Sequence, residues 1–321
     1  MRKLLLGTTA IAAAATLTAN AALADVSISG AYEFYYQSRS SNITANDGTS
    51  TDTDSEIHVK FSNKTDSGLT IGFVTELTTD EADSGNDESS ISISGGFGKI
   101  VLGENDGVGD NYGVASTDLI AEEVFATGTG ALTNPKPDIA GLGGDNPKIA
   151  YHLPAMGGLT AGISHTNSGP LGATDTTQYG AAYSMSAGGA SVTIGGATGT
   201  TEAATKDTDS QNIGIKVTSG NITAAVSQST YEGNGFDEDS TGAAISFKVS
   251  DAMTVGLHTT EANDDTNNQE YTNSGAEIQY TIASGLTAVV GVEDYDYKVG
   301  TSAGTVADSG TVSRLTIKAS F

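Results

Sequence analysis

Apolar and polar residues trade places at every second position along most of this chain. Near the start, Val26, Ile28, Tyr32, Phe34 and Tyr36 alternate with Ser27, Ser29, Glu33 and Gln37. Ile57, Val59 and Phe61 then alternate with Glu56, His58 and Lys60, and Leu69, Ile71 and Phe73 follow. The pattern returns at Ile213, Ile215 and Val217, at Ile245, Phe247 and Val249, and at Leu286, Ala288, Val290 and Val292. The last stretch sets Leu315, Ile317, Ala319 and Phe321 against Arg314, Thr316 and Lys318. A period of two predicts β-strands with two chemically different faces.

Short turn signals punctuate the strands: Thr65–Gly68, Gly95–Gly98, Ala155–Gly158, Ser186–Gly189, Thr218–Asn221, Ser250–Ala252 and Ile282–Gly285. Each is rich in glycine or short polar residues, which supply positive φ or cap a turn. Their starts lie 30, 60, 31, 32, 32 and 32 residues apart, so one interval is doubled. Seven short turns and two chain ends predict sixteen strands and eight long connections. Seven of these are polar and acidic: Ser40–Asp54, Thr78–Glu88, Asn167–Thr177, Gly199–Ser210, Tyr231–Ser240, Ala262–Glu270 and Asp296–Ser309.

Short turns at one end and long loops at the other is the asymmetry of a transmembrane barrel. A soluble sandwich would instead bury its apolar face against a second sheet. The pattern therefore predicts an all-β fold, a sixteen-stranded antiparallel transmembrane β-barrel in a bacterial outer membrane. The aromatics at apolar positions, among them Tyr32, Phe34, Tyr36, Phe61, Phe247 and Phe321, suit the belts that mark membrane interfaces.

The doubled interval is the exception. Gly103–Asn146 holds about thirty residues beyond the period, too many for an idle connection in a compact protein. Val114–Phe125 is predicted as a short helix capped at Ser116 or Thr117. The rest is glycine-rich and holds Pro135 and Pro137. A barrel of sixteen strands encloses a lumen too wide for wall side chains to fill. Residues 104–146 are therefore expected to fold inward as a constriction loop.

The ends and the composition narrow the reading. Arg2 and Lys3, an apolar stretch from Leu4 to Leu17, and Ala22-Leu23-Ala24 before Asp25 have the form of a secretory signal peptide. Residues 1–24 are expected to be cleaved, leaving a single barrel domain over 25–321. There is no cysteine in the sequence, so no disulfide holds the fold. Without Arg2 and Lys3, twelve basic residues stand against 39 acidic ones, a net charge of −27. That balance argues against nucleic acid, whose phosphates require basic surface. No G-x-S-x-G, H-E-x-x-H or phosphate-loop motif is present, so the chain does not read as an enzyme.

Gly96-Phe97-Gly98-Lys99-Ile100-Val101-Leu102-Gly103, with Asn105-Asp106-Gly107-Val108, resembles the entry to the constriction loop of Gram-negative general diffusion porins. Lys148–Pro154 and Gly157–Ser164 resemble the exit from it. Ser29-Gly30-Ala31-Tyr32 and the terminal Phe321 also look like that family. The resemblance implies a homotrimer whose third loop folds inward, and a role for Phe321 as an assembly signal. Many of these porins carry arginine directly after the glycine matching Gly103, where this chain has Glu104, so the family's cluster of wall arginines is thinned here.

On this reading the working parts are charge and width. The constriction candidates on the loop are Asp106, Asp110, Asp118, Glu122, Glu123, Asp138 and Asp145. The wall candidates are Lys60, Lys99 and Arg314, whereas Lys216, Lys248 and Lys318 sit nearer the short-turn rim. With acids in excess, cation preference is expected. The expected partners are small hydrophilic solutes and ions, lipid and lipopolysaccharide. No cofactor is required, although the acidic runs at Asp52, Asp207 and Asp237 offer oxygen ligands for weak Ca2+ or Mg2+ binding. Two alternatives are a substrate-selective channel, marked by saturable block, and a soluble acidic surface protein, marked by fractionation without detergent.

Overall fold

The computed structural model describes residues 25–79, 85–121, 132, 134–139, 142, 144, 146–167, 174–203, 205–299 and 306–321. Residues 1–24, read as a signal peptide, lie outside the described residues.

Sixteen antiparallel strands form one closed barrel, each paired with its neighbours in sequence, and β1 with β16. They are β1 (Asp25–Ser41), β2 (Gly48–Lys64), β3 (Thr70–Thr78), β4 (Gly85–Gly95), β5 (Gly98–Gly103), β6 (Lys148–His152), β7 (Leu159–Asn167) and β8 (Asp175–Ala187). They continue as β9 (Ala190–Thr201), β10 (Thr208–Ser219), β11 (Ile222–Gly233), β12 (Phe236–Lys248), β13 (Met253–Asp264), β14 (Gln269–Ala283), β15 (Leu286–Val299) and β16 (Val306–Ser320). All seven predicted short turns join successive strands. At the Ile282–Gly285 turn, for example, Gly285 takes φ +73°, open to glycine at no steric cost.

Closure removes the free edges that a sheet must otherwise protect. The seam runs from Ala31 opposite Ser320 to Ser41 opposite Gly310. Beyond it, Gly30 and Phe321 exchange backbone hydrogen bonds of 3.0 and 3.3 Å. The last residue is thus held in the ladder while its ring stays exposed.

The two faces differ as the alternation predicts. Ile213, Val226, Leu257 and Val290 are more than half exposed on one face, with Phe61 and Phe73 opposite each other in register and their rings 5.9 Å apart. The other face carries Asn212, Ser227, His258 and Glu293, all buried. No helix among the described residues is long and apolar enough to cross a membrane. The apolar band therefore has the form of a lipid-facing barrel surface.

Several predicted loops are strand instead. Tyr231–Ser240 contracts to Asn234 and Gly235 between β11 and β12. Gly48–Asp54 belongs to β2 and pairs with β1, and most of Ala262–Glu270 belongs to β13 and β14. These stretches hold few apolar residues, so the hydrophobic alternation that marks a strand is absent although the ladder continues. Side chains add to the pairing: Tyr35 Oη donates to Asp52 Oδ2 at 3.0 Å across β1 and β2, and the Tyr231 and Phe236 rings stack with centres 4.6 Å apart across β11 and β12. Such cross-strand pairs contribute roughly 0.2–1 kcal/mol each.

The predicted helix over Val114–Phe125 is also displaced. A short helix α1 spans Val108–Tyr112, and Thr117–Leu119 is one 3-10 turn with no side-chain cap bond from Ser116. Residues 122–125 lie outside the described residues. Wall side chains bond the backbone here, which removes the need for continuous helix.

Candidate pore constriction

The described parts of 104–146 lie against the polar face of the sheet. A segment outside regular structure must find partners for its backbone groups, and here the wall supplies them. Val108 N donates to Ser164 Oγ at 3.2 Å and Gly109 N to Gln178 Oε1 at 2.9 Å. Val114 N donates to Asn212 Oδ1 at 3.1 Å, Ser116 N to Ser227 Oγ at 2.8 Å, and Ala121 N to Glu277 Oε1 at 2.9 Å. The outgoing limb thus crosses from β7 to β14.

The returning limb uses neighbouring positions. Asn134 N donates to Glu238 Oε2 at 2.7 Å, while Ser229 Oγ donates to Lys136 O and Ser240 Oγ to Pro135 O. Two wall amides hold both limbs at once. Gln178 Nε2 donates to Leu142 O at 2.7 Å, and Asn212 Nδ2 to Pro137 O at 2.9 Å. Buried Lys148 draws the neck together, donating to the carbonyls of Asn105 and Gly144.

The wall makes room for the backbone with glycines on its polar face. A Cβ on Gly180 would stand 2.9 Å from Val108 O, and one on Gly162 would stand 2.8 Å from the Tyr112 ring. Gly195 and Gly214 admit the Tyr112 and Val114 carbonyls more closely still. Apolar side chains fill the remaining gaps. Val108 and Tyr112 pack on Val101 and Ala150, and Leu132 packs on Ala262, Tyr271, Tyr295, Tyr297 and Val312. The Tyr112 hydroxyl lies 2.7 Å from His152 Nδ1.

A second charged region runs along the β1–β16 seam. Arg39 donates to Tyr295 Oη at 2.9 Å and to Asp308 Oδ2 at 2.5 Å, and its guanidinium lies 5.0 Å from the Tyr295 ring. Arg314 donates to Gln37 Oε1 at 2.7 Å and lies 4.6 Å from the centre of the Tyr35 ring. Lys318 pairs with Glu33 at 3.2 Å and donates to Ala121 O at 3.2 Å, so it touches the segment.

Of the loop carboxylates expected at the constriction, Asp106, Asp110 and Asp118 are exposed and Asp138 is half-buried. Asp118 Oδ2 accepts from Ala115 N at 3.3 Å. Neither Asp106 nor Asp118 forms an ion pair with a described wall cation. Glu122, Glu123 and Asp145 lie outside the described residues. Lys60 and Lys99 are exposed on the polar parity of β2 and β5. Glu104 accepts from Asn86 Nδ2 at 2.8 Å and from Ser89 Oγ at 3.4 Å.

Sequence reasoning passed over Arg39, Glu277, Glu238, Gln178 and Asn212. Their signal was present: each occupies the polar parity of its strand. Arg39 lay at the edge of a stretch read as loop, and polar parity alone does not distinguish a loop anchor from a solvated side chain.

A family model described as Gram-negative porin matches residues 7–300. No match is found among curated proteins. The fold is similar to an anion-selective porin from Comamonas acidovorans, with TM-score 0.65, 15% identity, and 93% of this chain and 100% of that chain covered. It is similar to OmpT of Vibrio cholerae in its trimer form, with TM-score 0.67, 13% identity, and coverage of 93% and 99%. It is also similar to a mutant of Rh. blastica porin, with TM-score 0.67, 16% identity, and coverage of 92% and 100%.

Proposed function

The chain belongs to the Gram-negative porin family, outer-membrane channels built as β-barrels, and from that premise we propose that it is a cation-preferring pore for passive diffusion of small hydrophilic solutes. The observation that carries the reading is the hydrogen bonding of segment 104–146 to the polar face from Ser164 to Glu277. In a membrane barrel the polar face lines the lumen and the apolar face meets lipid. A segment bonded to the polar face then narrows an opening that sixteen strands would leave wide. No bond chemistry is required, only width and field.

Cation preference rests on the formal charge of −25 and on carboxylates such as Glu56 and Glu76 at polar-face positions. The same barrel serves an anion-selective porin, so preference belongs to side chains and not to the fold. A homotrimer within lipid and lipopolysaccharide completes the proposal, as one similar barrel has a trimer form.

Single-channel recording of the purified protein in a planar bilayer tests it. Stepwise ohmic conductance with a reversal potential on the cation side in a salt gradient is expected. Absence of conductance would overturn the channel, and anion-side reversal would overturn the preference. Cross-linking in mild detergent should yield a trimer.

A further inference from the structure

Away from the segment's anchors, the polar face of β2 and β3 holds a histidine between two carboxylates. Glu56 and His58 are two residues apart on β2, and His58 stands directly opposite Glu76 of β3. His58 Nε2 lies 2.7 Å from Glu56 Oε2, and His58 Nδ1 lies 3.2 Å from Glu76 Oε1. One ligand atom from each of the three residues lies within 4.8 Å of the other two. Glu88 of β4 is opposite Glu76 in register and adds a further carboxylate to the same patch of wall.

We propose that Glu56, His58 and Glu76 form a binding site for a divalent transition-metal cation of the Zn2+ type. The donor set is one imidazole nitrogen and two carboxylate oxygens. That suits Zn2+ or Cu2+, which accept mixed nitrogen and oxygen ligands and leave a position for water. Ca2+ prefers six to eight oxygens and is poorly matched.

Two features separate this group from an ordinary surface cluster. Neither Glu56 nor Glu76 has a lysine or arginine ion-pair partner among the described residues, and each pairs with His58 instead. The three side chains are 21–30% exposed, half-buried yet open to ions. The other histidines are placed differently. His258 is sealed against Glu293, His152 bonds Tyr112, and His165 faces Thr177. The strand ladder fixes the three Cα positions, so only side-chain torsions need adjust to close on an ion.

Calorimetric titration of the detergent-solubilised full-length barrel with ZnCl2 tests the site without recourse to conductance, so its failure and a failure of the channel reading are distinguishable. We expect one Zn2+ per chain, an affinity lowered roughly tenfold or more in His58→Gln and in Glu76→Gln, and no change in His165→Gln. With Cu2+, paramagnetic resonance should show coupling to one imidazole nitrogen, lost in His58→Gln. Absence of uptake, uptake equal in wild type and His58→Gln, or a copper signal without nitrogen coupling would overturn the proposal. Retained migration as a folded barrel in the variants excludes unfolding as the cause of lost binding.

Discussion

Gly214 on β10 lies against Val114 so closely that a Cβ on the glycine would collide with the valine carbonyl oxygen. The next polar-face residue of the same strand, Asn212, accepts the Val114 N–H at 3.1 Å. One strand thus supplies both the space and the hydrogen bond that seat the segment. Replacement of Gly214 by valine should push the segment off the wall at a cost of about 1–3 kcal/mol, the usual penalty of overpacking. The apolar band is untouched, so the barrel should still form. Larger and noisier single-channel conductance than wild type is the expected result; an unchanged trace would mean the segment does not narrow the channel.

Asn212 holds both limbs, so its loss should be felt on both. Asn212→Ala leaves the Val114 amide and the Pro137 carbonyl without this partner. Buried groups stripped of a partner cost about 1–3 kcal/mol. Hydrogen exchange should quicken at Val114 while the amides of β13 to β15 keep their protection.

Selectivity should follow the wall cations that no carboxylate neutralises. Lys60 is exposed and has no ion pair among the described residues. Lys60→Glu should move the reversal potential further to the cation side. The effect should shrink between 0.1 M and 1 M salt, as the screening length falls from about 10 Å to about 3 Å. A shift that persists undiminished at high salt would point to a steric cause.

The lipid face should reject charge. Val290 lies mid-way along the apolar run of β15 and is 55% exposed. Val290→Arg should destabilise the folded barrel by about 2–4 kcal/mol in reversible refolding into vesicles.

The terminal ring should matter for assembly more than for closure. Phe321 adds its backbone to the ladder opposite Gly30 while its side chain stays 69% exposed. Phe321→Ala keeps that backbone pair. The purified variant should refold in detergent like wild type, yet reach the outer membrane in lower yield.

Strand count, turn positions and the identity of the two faces were legible along the chain. Phe61 and Leu315 declare the lipid side because each sits between polar neighbours. The ladder's true length was not legible. At Tyr231–Ser240 only Tyr231 and Phe236 are aromatic or apolar apart from glycine, and a strand without regular contrast between its faces looks like a loop. The helix expected from Val114 onward failed for a related reason. Local capping signals at Ser116 and Thr117 were outweighed by wall groups such as Ser227, which bonds the Ser116 amide at 2.8 Å.

Period-two alternation and turn chemistry are properties of neighbouring residues, so they specify a sixteen-stranded barrel before any distant contact forms. Which polar side chains do work is a different matter. Val114 and Asn212 are 98 residues apart, and Arg39 and Asp308 are 269 apart. Those pairs, and the meeting of Glu56, His58 and Glu76, exist only once register and closure set the strands side by side. Composition supplies the excess of carboxylates, but the ladder decides which of them face one another, because a shift of one residue would turn every one of them toward the lipid.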